Sequence, residues 1–163
     1  MDEERKSIYI ETTIPSYATA RENRDILIAG RQLLTRFFWE QERHKYDLYV
    51  SQLVMEECSD GDPSAARKRL DFISGIDVLP TTAEAEDLGK TYEQLLQIPE
   101  RARTDCLHLS ICVLNGMDFL VTWNCTHLGI VSNMRIYDYN EKHGLWTPML
   151  VTPEYFVDFT GEV

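Results

Sequence analysis

Three acidic residues stand at positions where a carboxylate could serve a reaction. Glu11 directly follows the β-rich run Ser7 to Ile10. Glu57 lies four residues after Leu53 and three after Val54, which puts it in the middle of the apolar stripe of the segment opening at Gln52, while Glu56 points elsewhere. Asp105 falls in the first turn of a strongly apolar segment, where the helix dipole favours an anion. Burying an ionised carboxylate costs several kcal/mol unless something compensates it, and no Lys or Arg lies close in sequence to Glu57. A bound cation would serve. Converging oxygen ligands suit Mg²⁺ or Mn²⁺, and such an ion acidifies a water and neutralises a phosphate under in-line attack. The implied chemistry is phosphodiester hydrolysis. Plainer readings stand beside it: Asp105 as a first-turn helix acid, Glu11 as a surface residue.

Other polar residues join these acids. Thr122 and Asn124 follow the run Phe119 to Val121, Ser51 ends another, and Asn124 is also a common turn former. His108 comes one turn after Asp105, and His127 three residues after Asn124. Either is open to a ligand, proton-shuttle or structural role, and the absence of a His-x-x-x-His or Cys/His cluster favours the structural one. Trp123 is suited to stacking on a base or to core packing, and Arg67-Lys68-Arg69 to touching a nucleic-acid backbone or to forming a solvated helix face. Cys58, Cys106, Cys112 and Cys125 show no C-x-x-C spacing and read as buried thiols.

The elements that must position these residues alternate. Strands are expected at Ser7 to Ile10, Asp47 to Ser51, Ile76 to Leu79, Phe119 to Thr122 and Ile136 to Asp138, with a further one at Met149 to Val151. Pro15 ends the first strand, and a loop is expected after it. Apolar residues recurring at three and four from Arg21 to Lys45 predict one amphipathic helix. Shorter helices are expected from Gln52 (capped by Ser51), from Pro63 (capped by Asp62) to Ser74, from a Thr81 to Glu84 capping box to Leu96, and from Asp105 (capped by Thr104) to Asn115. Thr152-Pro153-Glu154 opens a last turn. The pattern implies a parallel sheet with helices on both faces, and in such sheets ligands bind beyond the carboxyl ends of the strands where strand order reverses.

A length of 163 residues fits a single domain spanning 1–163 with a core of its own, and 44% apolar residues make it globular. No apolar run is long enough to span a membrane, and the charged start MDEERKS lacks a signal peptide's apolar stretch, so a cytoplasmic location is expected. The net charge of −11 is a poor background for nucleic-acid binding, and the basic residues that do occur are concentrated early, eight of the sixteen within residues 1–45.

YIETTIPSY (9–17), SQLVMEEC (51–58) with GDP just after it (61–63), TDCLHLS (104–110), DFLVTWNCTHL (118–128) and VTPEYF (151–156) together resemble the PIN domain. Within it the closest likeness is to VapC-type toxins of prokaryotic toxin-antitoxin pairs. The resemblance runs through nearly the whole chain in the right order. It implies a Rossmann-like α/β/α sandwich with a parallel sheet of about five strands, and a metal-dependent ribonuclease using Mg²⁺ or Mn²⁺. It also implies an RNA substrate, an antitoxin partner and a homodimer. By motif, Glu11 falls where the family usually has Asp, Glu57 on its helix Glu, and Asp105 on its third acid. Asn124 falls where many members carry a fourth Asp, and Thr122 on a hydroxyl that positions metal or water. Three carboxylates rather than four support one-ion chemistry. The alternative is a PIN-fold binding module without effective catalysis, acting through protein or RNA contacts.

Overall fold

Side-chain burial and cross-strand pairing establish the order of the elements. A computed structural model describes residues 4–125 and 130–158, with side-chain detail in the second stretch beginning at Met134. The strands β1 (Ser7–Ile10), β2 (Asp47–Ser51), β3 (Asp77–Leu79), β4 (Phe119–Val121) and β5 (Met149–Val151) form one sheet in the order β3-β2-β1-β4-β5. Every pair is parallel. Ile8, Tyr9 and Ile10 are all wholly buried although successive side chains of a strand point to opposite faces, so β1 is covered on both sides. This is the expected α/β sandwich.

The helices are α1 (Thr13–Thr19), α2 (Ile26–Phe37), α3 (Gln52–Ser59), α4 (Pro63–Phe72), α5 (Ala83–Leu96), α6 (Arg103–Leu114) and α7 (Ile130–Lys142). α1 packs on α2 and α4, and α5 packs on α6 and α7. The chain leaves β1 outward to β2 and β3, then returns to the other side of β1 for β4 and β5, so strand order reverses between β1 and β4. That junction is fixed at both ends. At its start the Ser7 backbone N–H and hydroxyl donate to Asp118 Oδ2 at 2.8 and 3.0 Å, and at its end the Glu11 N–H donates to the Val121 carbonyl at 3.1 Å.

Several expectations need correction. The segment after β1 is helix α1, with Pro15 in its first turn, where a missing N–H loses no helical bond. The segment 136–138 is not a strand: Ile136 and Asn140, one helical turn apart, are both buried on α7, and the fifth strand is Met149–Val151. Thr82 rather than Thr81 caps α5, by accepting from the Ala85 N–H at 3.1 Å. Thr104 lies inside α6, whose cap position is Ala102.

The single helix expected over 21–45 begins at Ile26, passes into a π-helical turn (Phe38–Glu42) and ends in a 3₁₀ turn (Arg43–Lys45). Its amphipathicity is inverted. Gln32 and Thr35 are buried, while Ile26, Leu27, Leu33 and Phe37 are exposed. The buried polar side chains have specific work: Gln32 donates to the Arg21 carbonyl and accepts from the Asn23 N–H, and Thr35 accepts from the Trp123 indole. The wider π turn brings the consecutive residues Phe38 and Trp39 both into the core.

Candidate metal centre at the strand-order reversal

Glu11 and Thr122 emerge from adjacent strands at the junction of β1 and β4, so backbone pairing alone sets their separation. Thr122 continues the ladder through its N–H to the Val151 carbonyl at 3.0 Å. Its hydroxyl donates to Glu11 Oε2 at 2.7 Å, and Glu11 Oε2 also receives the Thr13 hydroxyl at 2.5 Å and the Thr13 N–H at 3.0 Å. Thr13 opens α1, so the helix that follows β1 closes a three-donor clasp on the strand-end carboxylate. Among the described residues, Oε1 of Glu11 receives no hydrogen bond.

Glu57 reaches the same place from α3. Ser51 caps that helix by accepting from the Val54 N–H at 3.1 Å, which fixes the helix start and so the direction in which Glu57 projects. Glu57 Oε1 receives the Thr12 hydroxyl at 2.8 Å and faces His108 Nε2 at 2.5 Å. Oε2 receives no hydrogen bond among the described residues. Burial alone would push the Glu57 carboxyl up, but hydrogen bonding and charge from His108, with the Thr12 hydroxyl, outweigh it and hold the group below its ordinary value.

His108, on the apolar helix α6, is only 2% exposed and continues the network inward. Its Nδ1 lies 2.7 Å from the Tyr9 hydroxyl, which lies 2.7 Å from Ser51 Oγ. Burial pushes the Tyr9 phenol well up, so it keeps its single proton. Either Tyr9 donates to Nδ1 and receives from Ser51, or a doubly protonated His108 donates to Tyr9, which donates to Ser51. In both states Nε2–H points at Glu57. The compensating partner for this acid is thus a histidine from a distant segment.

Ligand atoms of Glu11, Glu57 and His108 all lie within 4.8 Å of one another. Asp105, 8% exposed on the first turn of α6, is tied to the group through Asn124, whose Nδ2 donates to Asp105 Oδ1 at 2.8 Å. Asn124 is tied in turn to Thr122, whose hydroxyl receives the Asn124 N–H at 2.9 Å. All five residues singled out from sequence therefore connect, with the close group formed by Glu11, Glu57 and His108 rather than by the three carboxylates. Each of the two glutamates has one oxygen fixed by donors and a second without one among the described residues. Oxygen donors held in this way suit a hard divalent ion, while His108, whose Nε2–H points at Glu57, orients that carboxylate.

Other candidates are placed elsewhere. Arg69 is spent on the Cys58 and Asp60 carbonyls, fastening α4 to the end of α3. Cys58, Cys106 and Cys112 are buried free thiols, whereas Cys125 is half-buried. His127 lies outside the described residues. Trp123 packs against the core, as one of the two readings made of it has it: its indole N–H donates to Thr35 at 2.8 Å, and its backbone N–H donates to the Thr13 hydroxyl at 2.9 Å.

No protein-family model matches the chain, and no curated protein matches it in sequence. Solved structures do match in shape. VapC20 of Mycobacterium tuberculosis, a sarcin-ricin loop cleaving toxin, aligns with a TM-score of 0.58 at 13% identity, over 74% of this chain and 92% of its own. VapBC2 of Rickettsia felis, solved bound to a DNA fragment from the promoter, aligns with a TM-score of 0.51 at 15% identity, over 90% of this chain and 98% of its own. The chain has the fold of PIN-domain VapC proteins.

Proposed function

We propose, from that fold, that the chain is a divalent-metal-dependent endoribonuclease hydrolysing RNA phosphodiester bonds, and the toxin of a toxin-antitoxin pair. The observation that carries this reading is the meeting of Glu11 and Glu57, from separate elements, with ligand atoms within 4.8 Å at the reversal of strand order. Glu11, Glu57 and Asp105 would hold Mg²⁺ or Mn²⁺, and Asn124 would offer its amide oxygen. When bound there, the ion supplies charge neutralisation at the phosphate and a more acidic water. The chain's own contribution is positioning. Thr13 and Thr122 fix one oxygen of Glu11, Thr12 and His108 fix one oxygen of Glu57, and Asn124 fixes Asp105. Thr122, buried with its hydroxyl on Glu11 and on the Asn124 N–H, orients water or phosphate through those two residues. The Glu57–His108 pair is continued inward by Tyr9 and Ser51 as one hydrogen-bonded chain that fixes the direction of Glu57.

An antitoxin and a second copy of the chain are the protein partners of this reading. Ile26, Leu27, Leu33 and Phe37, exposed together on α2, are a surface better suited to a protein partner than to water.

The test is cleavage of labelled single-stranded RNA by the purified protein in Mn²⁺ and in EDTA, repeated with Asp105→Asn. Cleavage that needs Mn²⁺ and falls at least about 100-fold in the variant supports the reading. Equal cleavage by the variant refutes it. One observation favours a non-catalytic binding module: Glu57 already has a partner in His108, so an ion must compete for it. That reading predicts RNA or protein binding with no metal-dependent cleavage.

A further inference from the structure

The site's surplus of carboxylates repels the polyanion it is proposed to cut, in a chain of net charge −11. A fixed cation at its edge would offset that field. The neighbouring basic residues are mostly occupied: Arg36 donates to the Ala18 and Ala20 carbonyls, Arg69 to the Cys58 and Asp60 carbonyls, and Arg103 pairs with Glu93 and Glu100.

Arg31 is different. It is exposed on α2, and no carboxylate among the described residues pairs with it. Its guanidinium carbon sits 5.4 Å from the centre of the Trp123 ring, and Nη1 donates to the Tyr17 hydroxyl at 3.3 Å. The Tyr17 and Trp123 rings are 6.0 Å apart, so the guanidinium is held by two aromatic residues rather than left to wander. Trp123 is itself fixed by Thr35 on α2 and by the Thr13 hydroxyl, the same hydroxyl that clasps Glu11. The Arg31 charge is felt at Cys125, next to Asn124, where it opposes the upward push of burial on the thiol. A guanidinium has five N–H donors, and one is engaged here.

We infer that Arg31, set by Trp123 and Tyr17, binds a backbone phosphate of the RNA strand beside the scissile one. The inference rests on the ribonuclease reading for its substrate, and its test separates the two. A held guanidinium presents its remaining donors to a phosphate with little ordering left to do, and its reach along the rim places the strand over Glu11 and Glu57. Arg31 is a positioning and binding residue. It takes no part in the bond change.

The experiment measures fluorescence anisotropy of a labelled single-stranded phosphorothioate RNA, which resists hydrolysis, from 50 to 300 mM NaCl in Mn²⁺. Wild type, Arg31→Ala and Arg31→Lys are compared, with calorimetric Mn²⁺ titration and RNA cleavage run on the same preparations. Arg31→Ala is expected to weaken RNA binding about tenfold at low salt and to lower the salt slope by about 0.7, the contribution of one phosphate on a single strand. Mn²⁺ affinity stays the same. Arg31→Lys keeps the charge but loses the planar stack, and falls between the two. Undiminished RNA binding and an unchanged slope in Arg31→Ala overturn the inference, and so does a matching loss of Mn²⁺ affinity, which would mean a general disturbance. Arg31-dependent binding of a labelled polyglutamate peptide, with no RNA binding by wild type, also overturns it. Arg31-dependent RNA binding without cleavage keeps this inference and sinks the ribonuclease reading alone.

Discussion

Replacing His108 with Leu removes the only positive-capable partner of Glu57 among the described residues while roughly keeping the volume of a buried side chain. Two hydrogen bonds disappear. The one to the carboxylate is worth about 1.5–3 kcal/mol as a bond to a charged group, and the one to Tyr9 about 1 kcal/mol, since Tyr9 keeps Ser51. The combined loss is about 2.5–4 kcal/mol at neutral pH, which for a chain of 163 residues lowers Tm by about 10 °C. The loss depends on pH. The folded-state value of Glu57 lies below its ordinary 4.5, so its pairing stabilises the fold above that pH and ceases to do so as pH falls through the lower folded value. Thermal unfolding of both proteins, followed by circular dichroism at pH 7 and again in acid below the folded-state value of Glu57, should show the gap narrowing to about 1 kcal/mol. A gap under about 1 kcal/mol at pH 7, or one of equal size at both pH values, would refute the role given to this pair.

Other consequences are open to measurement. Burial pushes the Cys58 thiol up to about 11, the Cys106 thiol up to about 12 and Cys112 well up, so a thiol reagent at pH 8 should leave these three unmodified in the native protein and react with all four cysteines after unfolding. Rapid native labelling of Cys106 would contradict the packing of α6. A methyl added at Gly89 on α5 would meet the Leu107 Cα and Ser110 Oγ at 3.5 Å, ordinary contact, so Gly89→Ala should gain about 0.5–1 kcal/mol from reduced backbone freedom, read as a small rise in Tm. Gly89→Val should lower Tm, because its extra methyls enter the α5–α6 contact. Asn140, wholly buried, accepts from the Tyr92 hydroxyl at 2.5 Å and donates to Thr147 at 3.0 Å, so Asn140→Leu should cost about 2–4 kcal/mol in urea unfolding. A cost below about 1 kcal/mol would show that this polar latch is dispensable.

The sheet was legible because buried parallel strands are short β-branched runs, and the placement of Glu11 and Thr122 followed from the strand ends they terminate. Glu57 was legible from helical spacing. The α2 orientation was not. Periodicity reports that a helix has two faces, and the inward turn of the polar face depends on Gln32 and Thr35 meeting a loop and an indole that are remote in sequence. The same limit applies to Ile136: a β-branched residue beside Tyr137 resembles a three-residue strand, and only its pairing with Asn140 across a helical turn shows otherwise. His108 carried a signal, since it sits one turn from Asp105, but its bond to Glu57 spans 51 residues and arises only when α3 and α6 meet over Tyr9. The α1 helix was hidden by Pro15, which ends strands and is equally at home in a helix's first turn.

Calorimetric titration with Mn²⁺, of wild type and of Glu11→Gln, Glu57→Gln and Asp105→Asn, tests most directly whether these acids form one ion site. One ion per chain, with affinity reduced at least tenfold by each substitution in a protein that remains folded, is the predicted result. Absence of binding to wild type, or binding indifferent to Glu11 and Glu57, would contradict it.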